Sequence, residues 1–108
     1  MGPKRLELTE AARDDLRDIR RHIEKDSPGN SRAFVAELAE KMAFIARTGF
    51  TGSPRDHVAQ GLRAFPYKRR CIYFRLYPDR VVIVRVLHGA QDVARQSFDE
   101  SGDTPPEP

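Results

Sequence analysis

The 108-residue sequence predicts an α+β fold, a helical hairpin packed on a small antiparallel sheet in the order β-α-α-β-β-β. Two segments between Thr9 and Gly49 carry apolar residues at spacings of three and four, the period of an α-helix with one buried face. Three runs between Leu62 and His88 are rich in β-branched and aromatic residues and are separated by turn chemistry.

The first element is "RLEL" (5–8), short and alternating, a candidate strand. Thr9 then offers an N-cap oxygen, and Glu10 suits the positive end of a helix. Ala12, Leu16, Ile19 and Ile23 make one apolar stripe on an otherwise charged helix. It stops near Asp26-Ser27-Pro28, because proline disfavours helical geometry in the residue before it. Ser27 and Pro28 can also serve as N-cap and first residue of the next helix. Phe34, Leu38, Met42 and Ile45 form the second stripe, and Gly49 is a natural stop. So short a connection makes the two helices an antiparallel hairpin.

"FTGSPRDHVAQ" (50–60) has turn formers without a period and reads as a loop. Strands follow at Leu62 to Pro66, Arg70 to Tyr77 and Val81 to His88, with "YPDR" (77–80) as the turn between the last two. A two- or four-residue turn there opposes residues whose numbers sum to 157: Phe74 with Ile83, Tyr73 with Val84, Ile72 with Arg85, Arg75 with Val82. Both faces of these strands are then apolar, whereas an antiparallel sheet with one wet side alternates. The hairpin covers one face. The other needs the chain's own end, around Val93 to Phe98, or a second protein, and an apolar surface rimmed by basic residues is what an acidic, amphipathic partner would recognise. The sequence thus argues for a partner.

Length and composition fit one domain over residues 1–98 with an acidic, disordered tail at 99–108. Apolar residues make up 39% and charged residues 32%, which is polar for a globular chain yet periodic enough for a core. Residues 61–98 carry 8 Lys or Arg against 2 Asp or Glu, and residues 99–108 carry 0 against 4, so the strands are the basic part and attract anionic partners. No run approaches the ~20 apolar residues that span a bilayer, and "MGPKRLELTE" lacks a signal-peptide core. A cytoplasmic protein without membrane contact is expected. One cysteine, Cys71, and three scattered histidines give neither disulfide nor metal-ligand spacing, so no metal and no cofactor are expected.

Candidate chemistry centres on the last strand. An unperturbed imidazole titrates near neutrality and Asp92 lies four residues after His88, but no Ser-His-Asp or Cys-His order accompanies them, so His88 reads first as a structural strand-end histidine and otherwise as a catalytic or contact residue. Arg85 reads as a snorkelling side chain or the partner of a carboxylate such as Asp92. Cys71 reads as a small core residue. Arg63, Lys68, Arg69, Arg70, Arg75 and Arg80, interleaved with Phe65, Tyr67, Tyr73 and Tyr77, could stack and hold nucleic acid. The same alternation is what any strand at a basic rim looks like, and no nucleic-acid motif is present, so sequence-specific binding of nucleic acid is not expected.

"LTEAARDDLRDI" (8–19), "SPGNSRAFVAELAEKMAFIA" (27–46), "GLRAFP" (61–66), "IYFRL" (72–76) and "VVIVRVLHGAQDV" (81–93) together resemble the ParE toxins of the RelE/ParE superfamily, over residues 5 to 98. The resemblance implies a bacterial type II toxin that binds DNA gyrase, blocks its cleavage and resealing cycle, has no enzymatic activity, and is held as a hetero-oligomer by a ParD-like antitoxin. The RelE branch instead cuts messenger RNA on the ribosome with basic residues and a tyrosine. Its positions match Cys71, Gln91 and Ser97 here, none of which supplies a fixed positive charge or a phenol. Gln91 also replaces an arginine expected in many ParE sequences. The alternatives are therefore a RelE-type endoribonuclease and a degenerate, non-toxic binding module. For contacts to antitoxin or target, the resemblance and the strand pattern single out Arg63, Tyr73, Arg75, Arg85 and His88, with no catalytic residue.

Overall fold

The computed structural model describes residues 3–89, 91 and 93–100. The chain runs β1 (Arg5–Leu8), α1 (Glu10–Glu24), α2 (Pro28–Thr48), β2 (Ser53–Pro54), β3 (Arg63–Tyr67), β4 (Arg70–Leu76) and β5 (Arg80–His88), followed by a 3-10 turn at Val93–Arg95. The helix signals act as expected. Thr9 Oγ1 accepts from Ala12 N–H at 3.0 Å and starts α1, and Gly49 ends α2 in the left-handed region at φ 72°.

The sheet has the order β1-β5-β4-β3-β2. β3, β4 and β5 are antiparallel as expected, and β1, whose partner the sequence leaves unassigned, lies parallel to β5, pairing Leu6 with Val81 and Leu8 with Ile83, so the whole sheet is mixed. Parallel pairing needs a crossover between the strands, which α1 and α2 supply. The two-residue β2 falls inside the segment read as loop. It exists because Gly52, at φ 61°, lets the chain pass so close to β3 that a Cβ there would stand 2.6 Å from the Ala64 carbonyl oxygen.

The β4–β5 register begins as expected, with Leu76, Arg75 and Phe74 opposite Val81, Val82 and Ile83. A bulge between Phe74 and Tyr73 then shifts it by one residue, so that Tyr73 faces Arg85 and Ile72 faces Val86, not Val84 and Arg85 as the unbroken sum required. Val86 consequently joins the helix-side core and Leu87 the opposite side, whereas the unbroken sum puts Leu87 on the face of Ile72 and Val86 on that of Tyr73.

Two cores result. Ala12, Ile19, Leu38, Met42 and Ile45 of the hairpin pack on Ile72, Phe74, Val81, Ile83 and Val86. On the other side Tyr73, Val82, Val84 and Leu87 are covered by Leu62, Val58, Ala59, Val93 and Phe98. This corrects the inference that the second face lies open for a foreign protein: the 55–62 loop and the segment around Val93 to Phe98 seal it. Phe98 is 6% exposed and meets the Tyr73 ring at 5.1 Å. Of the tail predicted to be disordered, residues 101–108 lie outside the described residues, whereas Glu100 accepts hydrogen bonds from Arg75 and Tyr77, each at 2.8 Å.

β5 outruns β1, and α1 satisfies part of the exposed edge. Thr9 Oγ1 donates to the Val84 carbonyl at 2.7 Å, and the Asp15 carboxylate accepts from Val86 N–H at 2.9 Å. Among the described residues no helix is long and apolar enough to cross a membrane.

Candidate functional site

Of the residues singled out in the sequence, four are engaged by the chain itself. Arg63, on β3, donates through Nε to the Thr51 carbonyl. Tyr73 is buried, and burial pushes its phenol up to about 12. Arg75 donates to the Gln60 and Phe98 carbonyls, both at 2.9 Å, and to Glu100. Arg85 pairs with a carboxylate, one of the two roles its sequence context suggests, but the partner is Asp15 of α1, at 2.7 and 2.9 Å; Arg85 Nη1 also reaches the Ser97 carbonyl at 3.2 Å. The hydrogen bonds that Arg85 donates to Asp15 raise the Arg85 pKa, so its charge is permanent. Asp92, the partner first considered, lies outside the described residues. His88 ends β5 half-buried, with its backbone N–H on Gln91 Oε1 at 2.6 Å.

The positions that match the RelE nuclease hold nothing basic. Cys71 is half-buried and its thiol is pushed up by burial, so it stays neutral. Gln91 is occupied with His88, and Ser97 Oγ accepts from Asp99 N–H at 3.3 Å. Among the described residues no cluster of His, Cys, Asp and Glu could hold a metal ion.

What stands open is a ridge that the sequence reading divided between core and rim. Where α2 passes β3, Phe44 and Phe50 meet Phe65, with centroids 6.4 and 5.2 Å away, and Phe34 stacks on Tyr67 at 6.3 Å. Phe50 is 42% exposed, and the other four rings are half-buried. Cations line the ridge: Lys41 and Lys68 lie 5.1 and 5.4 Å from the Tyr67 ring centre, Arg70 lies 6.0 Å from Phe34, and Arg47 lies 5.9 Å from Phe44. Glu37 is the acid within the cluster; it accepts from Lys68 at 2.8 Å and from the Tyr67 hydroxyl, and these bonds hold its carboxyl below the usual range. The signal missed in the sequence is Phe44, an aromatic off the buried stripe of α2 and facing the basic strand.

Comparison with known proteins decides the family. Residues 6–93 match the model for the ParE toxin of type II toxin-antitoxin system, parDE. The chain belongs to the ParE toxin family. It is thus a ParE-type toxin of a toxin–antitoxin system, and, the two-residue β2 aside, its βααβββ order is that of its structural neighbours. A chain from the chromosomal ParDE toxin–antitoxin system of P. aeruginosa superposes with a TM-score of 0.69 at 20% identity, covering 79% of this chain and 95% of that one. A chain from the RelBE2 toxin–antitoxin complex of Mycobacterium tuberculosis gives 0.63 at 23% identity, covering 84% and 97%. At those identities the likeness is one of fold. No curated protein matches the sequence.

Proposed function

We propose that this ParE-type toxin acts in the cytoplasm by binding DNA gyrase, without catalysis of its own, and is neutralised by a ParD-like antitoxin in a hetero-oligomer. The observation that carries the choice of gyrase over messenger RNA is the chemistry at Cys71, Gln91 and Ser97. A neutral thiol, an engaged amide and a hydroxyl cannot stabilise the charge that develops on a phosphate during strand cleavage. Adding the purified protein to a gyrase reaction tests this: supercoiling stops and cleaved DNA accumulates. No inhibition, or cutting of translated messages in cells that express the protein, overturns it.

The antitoxin reading is supported by the ridge of Phe34, Phe44, Phe50, Phe65 and Tyr67 rather than by the sheet's second face. Its cations suit an acidic segment, and its rings suit the apolar side of that segment. Reversing Lys41 and Arg47 to glutamate weakens capture of the antitoxin, and each lost charge-assisted contact costs about tenfold in affinity. Unchanged affinity removes the ridge from the interface. Of the five strand residues, Arg63 keeps its Nε on the Thr51 carbonyl and meets a partner through its terminal guanidinium nitrogens. Tyr73, Arg75 and Arg85 reach one only by exchanging Phe98, Glu100 or Asp15 for groups of the same kind.

A further inference from the structure

Across one end of the helix-facing side of the sheet, Tyr67, Arg70 and His88 stand in a row through the registers of β3, β4 and β5. The hairpin does not fill the space above the last two. A cleft of about 370 Å³ opens there, lined by Arg70, His88 and Gln91 on the sheet side and by Asp15, Asp18 and His22 on α1. Its charges are unevenly answered. Asp15 is saturated by Arg85 and the Val86 N–H, and Asp18 lies 3.6 Å from Arg21 on its own helix. Arg70 makes no ion pair among the described residues. Its Nε is buried without a hydrogen-bond partner, and its nearest assigned contact is the Phe34 ring at 6.0 Å. Burial lowers its pKa with nothing to offset it, the mark of a cation that has lost water and gained no counter-ion.

We propose that this cleft binds a singly charged oxyanion, a carboxylate, on the Arg70 guanidinium, with His22, His88 and Gln91 as flanking groups. The planar fork of arginine matches the two oxygens of a carboxylate. The walls set the charge: one anion answers Arg70, while a second negative charge, as on a phosphate dianion, meets Asp18 and Asp15. The carboxylate can belong to a small metabolite or to an acidic side chain of a polypeptide. The inference does not depend on gyrase being the target, and its failure leaves that reading untouched.

The test follows the Arg70 Nε–H directly. In full-length protein labelled with ¹⁵N at arginine and glutamine, acetate replaces chloride at constant ionic strength. A saturable downfield shift of the Arg70 Nε–H, together with movement of the Gln91 amide, is expected. Arg70→Lys binds acetate more weakly by about tenfold, the worth of the lost second hydrogen bond to a charged group. His22→Gln, at an exposed helix position that leaves the fold intact, weakens binding less. A capped glutamate-rich peptide that binds more tightly than acetate assigns the carboxylate to a polypeptide; equal affinity assigns it to a small molecule. A drift of the Nε–H linear in acetate overturns the site, and phosphate binding more tightly than acetate at neutral pH overturns the carboxylate.

Discussion

Replacing Asp15 by alanine strands three donors at once: Arg85 Nε and Nη2 and the Val86 N–H, now held at 2.7, 2.9 and 2.9 Å. The two side chains are only 14% and 11% exposed, so water repairs the loss poorly. Opposite charges about 4 Å apart attract by about 4 kcal/mol at an effective dielectric near 20. Deleting one member of a buried pair costs about 3–5 kcal/mol, because the survivor stays desolvated. The orphaned N–H adds about 1–3 kcal/mol, reduced by whatever water enters the new space. Asp15→Ala should therefore lose at least about 3–5 kcal/mol, a large part of the ~5–15 kcal/mol available to a domain. Deprotonation offers Arg85 no relief, since a guanidinium stays charged throughout the working pH range. Urea unfolding followed by circular dichroism measures the loss as a lower midpoint at unchanged slope. Asp15→Leu combined with Arg85→Met removes both charges and should recover all but the cost of the N–H. A loss below about 1 kcal/mol for Asp15→Ala would refute the reasoning, because the pair would then be worth no more than a surface bridge.

Phe98→Ala uncovers Tyr73 and should cost about 2–4 kcal/mol; in a tyrosinate absorbance titration the highest midpoint falls from about 12 towards 10.0. Gly52→Ala puts a Cβ 2.6 Å from the Ala64 carbonyl oxygen and 3.0 Å from Phe74 Cζ at a positive φ, so thermal unfolding should report a loss of about 1–3 kcal/mol. Glu37 is a carboxyl whose folded pKa is depressed, first by the Lys68 hydrogen bond and then by that of Tyr67. Its contribution is present above the ordinary carboxylate range and disappears as pH falls through the lowered value. A carboxyl-carbon NMR titration should give Glu37 a midpoint below 4.5 that rises in Lys68→Met and Tyr67→Phe; a wild-type midpoint at or above 4.5 counts against the cluster.

The helices were legible down to their caps because Thr9, Pro28 and Gly49 act through the chain beside them, and the strand order was legible because the turns are local. Long-range features were not. Nothing near "RLEL" announces a parallel partner 75 residues away, and the bulge that seats Val86 against the hairpin depends on how β5 bends. The second face misled for the same reason. The end around Val93 to Phe98 was one of the two covers the sequence offered, but Val58, Val93 and Phe98 are isolated apolar residues in polar stretches, so no period decides between them and a second protein. Arg85 was rightly read as wanting a carboxylate. Asp15 was invisible as its partner because it sits in the run "RDDLRD", where every acid looks like helix surface.

The pairing of β1 with β5 ties the order of synthesis to the moment of folding. Leu8 settles beside Ile83, and the Thr9 N–H bonds to the Ile83 carbonyl at 3.0 Å, so the amino-terminal strand has no neighbour in the sheet until the final strand has been made. A chain still being translated carries a complete hairpin with a bare greasy stripe and no sheet to lay it on. The sheet closes abruptly, when the final strand joins it, and until then the nascent molecule is most in need of shelter.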